Sequence, residues 1–345
     1  MQYSVNNTPA KQWLYEISFI RPILLILLVS YHAFCYNCGA WNVPDGITVN
    51  NIYKWIALLS RAFRLEGFVF VSGYVFALQV LKNNKFESIR TLIVSKFKRL
   101  IIPYFIFGTL YYFLFTKNSS PLIIVTGIGH LWYLPCLFWC FLATYIIYKS
   151  NLKDVTAFII LTLLIPLSVI PIPLQINKAL YYMFFFFGGG LFWKYSERIH
   201  HYINRKRTMM LWAIFGLLLI LLNLTMESLL DLVSNNQIVT KAIVFSINKV
   251  IKAILASVGI IAIYFTATQY TNNHRLNSWV VKIGDYGYGV YIFHQFILCY
   301  IFYHTTIPSV VGSIWLPWVA FVIATITSVA LTYVLRSTRF GRKLI

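Results

Sequence analysis

Charged residues are scarce in this chain of 345 residues: Asp, Glu, Lys and Arg make up 11% of it, whereas a typical soluble domain has about 25%. This scarcity excludes an ordinary soluble protein, and the 59% of hydrophobic residues indicates a membrane protein. Apolar stretches long enough to cross a hydrocarbon core of about 30 Å recur along the whole length. We therefore predict an all-α integral membrane protein with a single domain over residues 1–345.

Cysteine is also scarce, and the common nucleotide-binding motifs are missing. Four of the five cysteines lie in apolar stretches, which argues against a disulfide framework. Cys35 and Cys38 form a single CxxC without a matching pair, so we predict neither a metal nor a redox site. The absence of a P-loop or GxGxxG after a strand speaks against a nucleotide-hydrolysing domain. The N-terminal segment lacks the features of a signal peptide, so we expect the first span to be kept.

The apolar stretches predict a polytopic bundle of about ten transmembrane helices. The second and eighth stretches are long enough to be tilted or broken. The predicted spans are 17–37, 52–81, 100–116, 130–148, 155–171, 178–194, 209–226, 241–268, 282–302 and 313–335.

The distribution of Lys and Arg predicts the orientation. Most of them fall in the N-terminal tail, in the gaps after even-numbered spans and in the C-terminal tail, whereas the other side shows Lys54, Lys117, Lys178 and Lys241. Basic loops stay in the cytoplasm, so both termini are predicted to be cytoplasmic. In a soluble protein the net charge of +20 would suggest nucleic acid, but here the placement of the basic residues on the cytoplasmic side explains it. We therefore predict the lipid bilayer, and no nucleic acid, as a partner.

Two ionisable residues stand in the first span, where charge is costly. Arg21 and His32 are eleven residues apart, which is three turns plus about 20°, so they leave one helix face about 16 Å apart. Such groups cost at least about 2.5 kcal/mol in a bilayer and usually mark a site. The alternative is that Arg21 reaches the headgroups and His32 bonds to a neighbour.

The second span carries Glu66 at a predicted depth similar to that of His32. A carboxylate beside an imidazole would fix its tautomer and raise its basicity, as a general base requires. In the alternative, Glu66 pairs with Arg61 or Arg64, the two arginines that we predict to bind substrate. Further along, Ser72-Gly73 is expected to allow close helix packing.

Two further groups of residues are candidates for binding. Lys96, Lys98 and Arg99 form a basic cluster that suits a polyphosphate, although such clusters also arise simply from cytoplasmic placement. On the outer side, the segment GHLWYLP brings together His130 and Trp132, and YGVYIFHQF carries two more candidates. These are Tyr291 and His294. The alternatives are an interfacial aromatic belt and a histidine that is simply hydrogen-bonded.

The motifs together resemble the bacterial acyltransferase-3 membrane proteins. The similarity rests on Arg21 and His32 with ten residues between, then FVFVSGYVF, KRLIIPY, GHLWYLP and YGVYIFHQF in this order, over roughly residues 17–300. It implies a standalone acetyl-CoA-dependent O-acetyltransferase in the bacterial cytoplasmic membrane that modifies capsule, O-antigen or exopolysaccharide. It also implies that Arg21 and His32 are essential, with His32 catalytic. Glu66-Gly67 departs from the Val-Pro-like pair usual at this place in the family, so the resemblance does not support Glu66.

These residues suggest a path for the reaction. Cytosolic acyl-CoA would lay its phosphates among Arg21 and the basic cluster, and its thioester would reach His32, which acts as base or as nucleophile. The carbohydrate would approach along His130, Trp132 and His294. A homo-oligomer and an association with polysaccharide-synthesis machinery remain open. The alternatives are a polysaccharide or lipid-linked-sugar exporter, for which we find no internal repeat, and a structural subunit, which leaves the buried ionisable residues unexplained.

Overall fold

The computed structural model describes residues 15–234, 238–273 and 278–345, with the side chains of 226–234, 238–239, 273 and 278–282 left aside. Within these ranges the chain is helical and contains no strand, which confirms the predicted all-α class. The helices are α1 Tyr15–Phe34, α2 Asn51–Arg61, α3 Arg64–Ala77, α4 Ile89–Lys96, α5 Ile102–Tyr111, α6 Ile123–Thr126, α7 Tyr133–Lys149, α8 Asp154–Leu167, α9 Ile176–Lys194, α10 Ser196–His200, α11 Arg205–Ser234, α12 Ile238–Asn273, α13 Ser278–His304, α14 Ile307–Ser337 and α15 Gly341–Leu344.

The apolar helices coincide with the predicted spans. Six segments of the described chain are long and apolar enough to cross a membrane, and two shorter apolar helices accompany them. The number of ten spans and the cytoplasmic placement of both termini stay predictions. The six segments are Tyr15–Cys38, Asn51–Lys82, Ile89–Thr116, Arg205–Thr225, Thr240–Asn272 and Ile307–Ser337.

The second predicted span is broken, as its length suggested. Asn50 caps the start of α2 because its side chain accepts hydrogen bonds from the backbone N–H groups of Ile52 and Tyr53. The helix ends at Arg61, and Phe63 has a non-helical backbone before α3 begins at Arg64. The break therefore places Arg64 at the start of a new helix, inside the bundle.

Helix α1 lies in the centre of the bundle. It packs against α2, α3, α12, α13 and α14, and its side chains Leu24, Leu28 and Ile20 are almost completely buried. A helix that is apolar on most of its surface can be covered by other helices or by lipid, and α1 is covered by its neighbours. Residues on α1 can consequently meet residues from distant parts of the sequence.

Helices α3 and α9 approach each other closely through glycines. A Cβ added to Gly73 would lie 1.8 Å from the carbonyl oxygen of Phe186, and one added to Gly189 would lie 2.0 Å from that of Phe70. Small residues allow backbones in a bilayer to come this near. The expectation of close helix packing at Ser72-Gly73 is therefore confirmed.

The loop 39–50 after α1 is tied to the start of α14. The backbone N–H of Thr48 donates to Ser313 Oγ at 2.9 Å, and the Tyr53 hydroxyl donates to the carbonyl of Ile314 at 2.8 Å. Both acceptors follow directly on Gly312, whose φ of +74° interrupts α14. These bonds fix the loop over the end of α1 that carries His32.

Candidate active site

A cavity of about 250 Å³ lies at the end of α1, between this helix, the loop 39–50, the segment before α7 and α13. Small-molecule sites usually measure about 300–1,000 Å³, so this cavity suits one sugar unit or an acyl group rather than a whole coenzyme. It is lined by Leu28, Tyr31, His32, Ala40, Trp41, Arg64, Leu65, Gly129, His130, Trp132, Tyr133, Tyr291 and Gln295.

The imidazole of His32 is oriented by two hydrogen bonds at the same nitrogen. Its Nδ1 lies 3.0 Å from the carbonyl oxygen of Leu28 and 3.2 Å from Nε2 of His294. His294 Nδ1 lies 2.9 Å from the carbonyl of Val290, so it carries the proton and leaves its Nε2 as an acceptor. We accordingly assign the proton of neutral His32 to Nδ1, which leaves Nε2 with a free lone pair.

His130 extends this arrangement. Its Nε2 lies 2.9 Å from the carbonyl oxygen of Ile292, and its own carbonyl accepts a bond of 2.7 Å from the Tyr291 hydroxyl. The His130 and His32 rings lie 5.0 and 4.9 Å from the His294 ring, centroid to centroid. His32 and His294 are thus hydrogen-bonded to each other, whereas His130 contacts His294 ring to ring and its Nδ1 has no hydrogen-bond partner in the described structure. No metal-binding group is found among the described residues.

Arg64 joins the cavity from the break between α2 and α3. Its guanidinium stacks on the ring of Tyr31 with Cζ 3.8 Å from the centroid, and the residue is only 5% exposed. Its Nε has no hydrogen-bond partner in the described structure. Arg61, one turn earlier, is exposed and does not line the cavity.

The expected contact between Glu66 and His32 is not formed. Glu66 lies in the first turn of α3 and accepts a hydrogen bond of 3.2 Å from the hydroxyl of Tyr181 on α9. It interacts electrostatically with Arg64, as the alternative reading expected. The helix break sets the face on which Glu66 lies, and depth along the helix could not reveal it. The tautomer of His32 is fixed by His294 instead.

Arg21 lies near the opposite end of α1, against the start of α13. Its side chain is half-buried next to Gly284 and interacts electrostatically with Asp285 and Arg99. The backbone carbonyl of Arg99 accepts a bond of 2.7 Å from the Tyr288 hydroxyl, which ties this segment to α13. The structure thus brings Arg21 and Arg99 together, as the sequence suggested.

The basic cluster is divided between two environments. Lys98 and Arg99 are exposed, whereas Lys96 is buried. The ammonium of Lys96 lies 3.7 Å from the ring centroid of Phe141 and also faces Phe76 and Phe86. Cation–π contacts therefore hold Lys96, and its predicted role in phosphate binding has less geometric support than that of the other two.

Several cavity residues were not expected from the sequence. Trp41 reaches His32 with ring centroids 5.6 Å apart, and Gln295 lines the cavity as well. Gln295 directly follows His294, and this adjacency could have indicated from the sequence that Gln295 lies near the site. Trp41 offered none, because the folding of loop 39–50 over the cavity depends on distant contacts with α14.

A polar cavity with an oriented histidine inside a bundle of apolar helices is the arrangement expected of a membrane-embedded enzyme. The chain belongs to the Acyl_transf_3 family, because the family model, described as an acyltransferase domain, matches residues 14–337. It is thus a membrane acyltransferase. No curated protein and no solved structure matches the chain.

Proposed function

We propose that this protein transfers an acyl group, most simply acetyl, from acyl-CoA to a hydroxyl of a cell-surface or lipid-linked carbohydrate. The observation that carries the proposal is the state of His32: Nδ1 is held by Leu28 and His294. The described structure records no hydrogen bond at Nε2, and His32 lines the cavity. An imidazole prepared in this way is suited to remove a proton from a hydroxyl.

The reaction needs one base and one returning proton. His32 Nε2 takes the proton of the acceptor hydroxyl while its oxygen attacks the thioester carbonyl. The carbon–sulfur bond then breaks, and the imidazolium returns the proton to the leaving thiolate. General-base catalysis of this kind contributes about 10²–10⁴-fold. His294 accepts from Nδ1 throughout and so stabilises the charge that His32 acquires.

The two substrates would reach His32 from opposite ends of α1. Arg21 and Arg99 are available for the phosphates of acyl-CoA at one end, about 16 Å from His32 along the helix axis. At the other end the cavity is lined by aromatic rings, including Trp41 and Trp132, that can stack on a sugar. With both termini in the cytoplasm, as predicted, the donor enters from the cytoplasm and the acceptor from the outer side.

The test is mass spectrometry of surface polysaccharide from a deletion strain complemented with wild type, His32→Ala or Arg21→Ala. His201→Ala is the control, because His201 lies in the exposed turn after α10. We expect the polymer to be made and exported in every strain. Its ester-linked acyl group should be lost in the deletion strain and with both variants, and kept with the control.

The opposite result would overturn the proposal. If acylation were intact in the deletion strain and the polymer accumulated inside the cell, the protein would export the polymer instead. Equal amounts of each variant in the membrane, with equal melting temperatures, exclude misfolding as the cause of a lost ester.

A further inference from the structure

A second group of basic residues lies beside the cavity, on α2, α3, α9 and α12. Lys252 interacts electrostatically with Arg61 and Lys249, and Lys178 interacts with Lys249. Arg64, which lines the cavity, interacts with Arg61 in turn. We call Arg61, Arg64, Lys178, Lys249 and Lys252 the basic row.

The basic row lacks matching negative charge. Glu66 is the carboxylate that interacts with it among the described side chains, and it forms a salt bridge with none of the five. Lys249 and Lys178 instead face aromatic rings, with Nζ 5.1 Å from the centroid of Tyr181 and 4.0 Å from that of Trp132. Like charges repel strongly at low dielectric, so such a group calls for an anionic ligand.

The row continues into the cavity. Trp132, under the ammonium of Lys178, lines the cavity together with Arg64, which is 5% exposed and has an unpartnered Nε. An anion held by the lysines would therefore lie next to the place where a sugar meets His32. This is the position of a phosphate that is attached to the sugar.

The surroundings favour a lipid as the carrier of this phosphate. Arg61 and Arg64 lie in the segment Asn51–Lys82, and Lys249 and Lys252 lie in Thr240–Asn272, both of which are long and apolar enough to cross a membrane. Arg61 is exposed on α2. A phosphate on a lipid tail can reach basic residues in such segments from within the bilayer, whereas a soluble anion would have to leave water to do so.

The coenzyme phosphates are a less suitable occupant. Arg64 stacks on Tyr31, which lies ten residues, or about 15 Å, along α1 from Arg21. The basic row and the group formed by Arg21 and Arg99 thus belong to opposite ends of α1.

From this geometry we propose that Lys178, Lys249 and Lys252 bind the phosphate of a lipid-linked sugar acceptor. This inference rests on the proposed function, since it names the class of acceptor. The sugar next to the phosphate then receives the acyl group, because it is the unit that reaches His32.

The test measures binding, which does not depend on acyl transfer. The full chain in lipid nanodiscs is titrated with a polyisoprenyl phosphate, with the corresponding polyisoprenol and with inorganic phosphate. The variants are Lys249→Gln/Lys252→Gln and the charge-preserving Lys249→Arg/Lys252→Arg. Lys241→Gln, at the start of the same helix, is the matched control.

We expect the phosphate lipid to bind at least tenfold more tightly than the alcohol or inorganic phosphate. The glutamine variant should lose this difference, whereas the arginine variant and Lys241→Gln should keep it. The proposal is overturned if the alcohol binds equally well, if inorganic phosphate binds as tightly as the lipid, or if coenzyme A displaces the lipid. If the wild-type protein binds the phosphate lipid in this way but transfers no acyl group, the proposed function fails while the lipid-phosphate site stands.

Discussion

The interface between α3 and α9 is tightly packed, whereas the histidine cavity contains buried polar atoms without partners. At the interface, glycines bring backbone against backbone, and a methyl group at Gly73 would collide with a carbonyl oxygen. In the cavity, polar atoms such as His130 Nδ1, Gln295 Oε1 and Arg64 Nε are buried without a partner in the described structure. Buried polar groups without partners are costly, so they mark a place where a ligand is expected. The comparison shows that rigidity and reactivity are located in different parts of the bundle.

The largest effect should come from filling the interface. Gly73→Ala places a Cβ 1.8 Å from the carbonyl oxygen of Phe186, so α3 and α9 must separate. We expect the free energy of unfolding to fall by about 3 kcal/mol, the upper part of the range for overpacking. The measurement is the thermal melting temperature of the purified protein in detergent.

Gly188→Ala is the control, because Gly188 lies on α9, the helix that Gly73 approaches, and a Cβ there meets nothing within 4 Å. Alanine also favours helix over glycine, so its melting temperature should stay equal or rise. If both variants melted at the same temperature, the close approach of the two helices would be disproved.

The next effect concerns the orientation of His32. His294→Ala removes the acceptor 3.2 Å from His32 Nδ1. We expect kcat for acyl transfer to fall about 30-fold, or about 2 kcal/mol, with little change in KM. His294→Gln should recover part of kcat, because its amide oxygen can accept from the same nitrogen.

His304→Ala on the same helix is the control, since its ring contacts Phe115 and Tyr300 rather than His32. A purely structural role of His294 would show as less folded protein with unchanged kcat per folded molecule. That outcome would remove His294 from the mechanism.

The smallest effect is expected at the other end of α1. Arg21→Lys keeps the charge but loses the planar guanidinium that suits phosphate. We expect KM for acyl-CoA to rise about tenfold, or about 1.4 kcal/mol, with kcat nearly unchanged. Arg90→Lys, an exposed arginine on α4, is the control. A fall in kcat with constant KM would instead place Arg21 near the reacting atoms.

The sequence predicted the helices well because apolar composition alone determines which segments can be buried in a bilayer. The length of spans 52–81 and 241–268 indicated a tilt or a break; the structure breaks the first at Phe63, whereas the second lies within the single helix α12. Ser72-Gly73 predicted a close contact, although not that α9 would be the partner. Such features depend on local chemistry, which a single stretch of sequence contains.

The contacts of the site residues could not be predicted, because they join segments that are distant in the sequence. Glu66 and His32 were placed together by depth, but depth does not fix the rotation of a helix, and Glu66 meets Tyr181 instead. Lys96 was grouped with its sequence neighbours, yet its position in the helix turns it toward Phe141. Contacts of this kind depend on packing across several helices.

The bond between His32 and His294 joins residues 262 positions apart. A ribosome delivers the first helix long before α13, and domains tend to form from the N-terminus onward during synthesis. The nascent protein therefore holds α1 in the membrane without His294 and without the cavity residues Tyr291 and Gln295 until α13 has been inserted. The protein therefore becomes able to catalyse acyl transfer only late in its synthesis, and a chain that ends before α13 should be inactive.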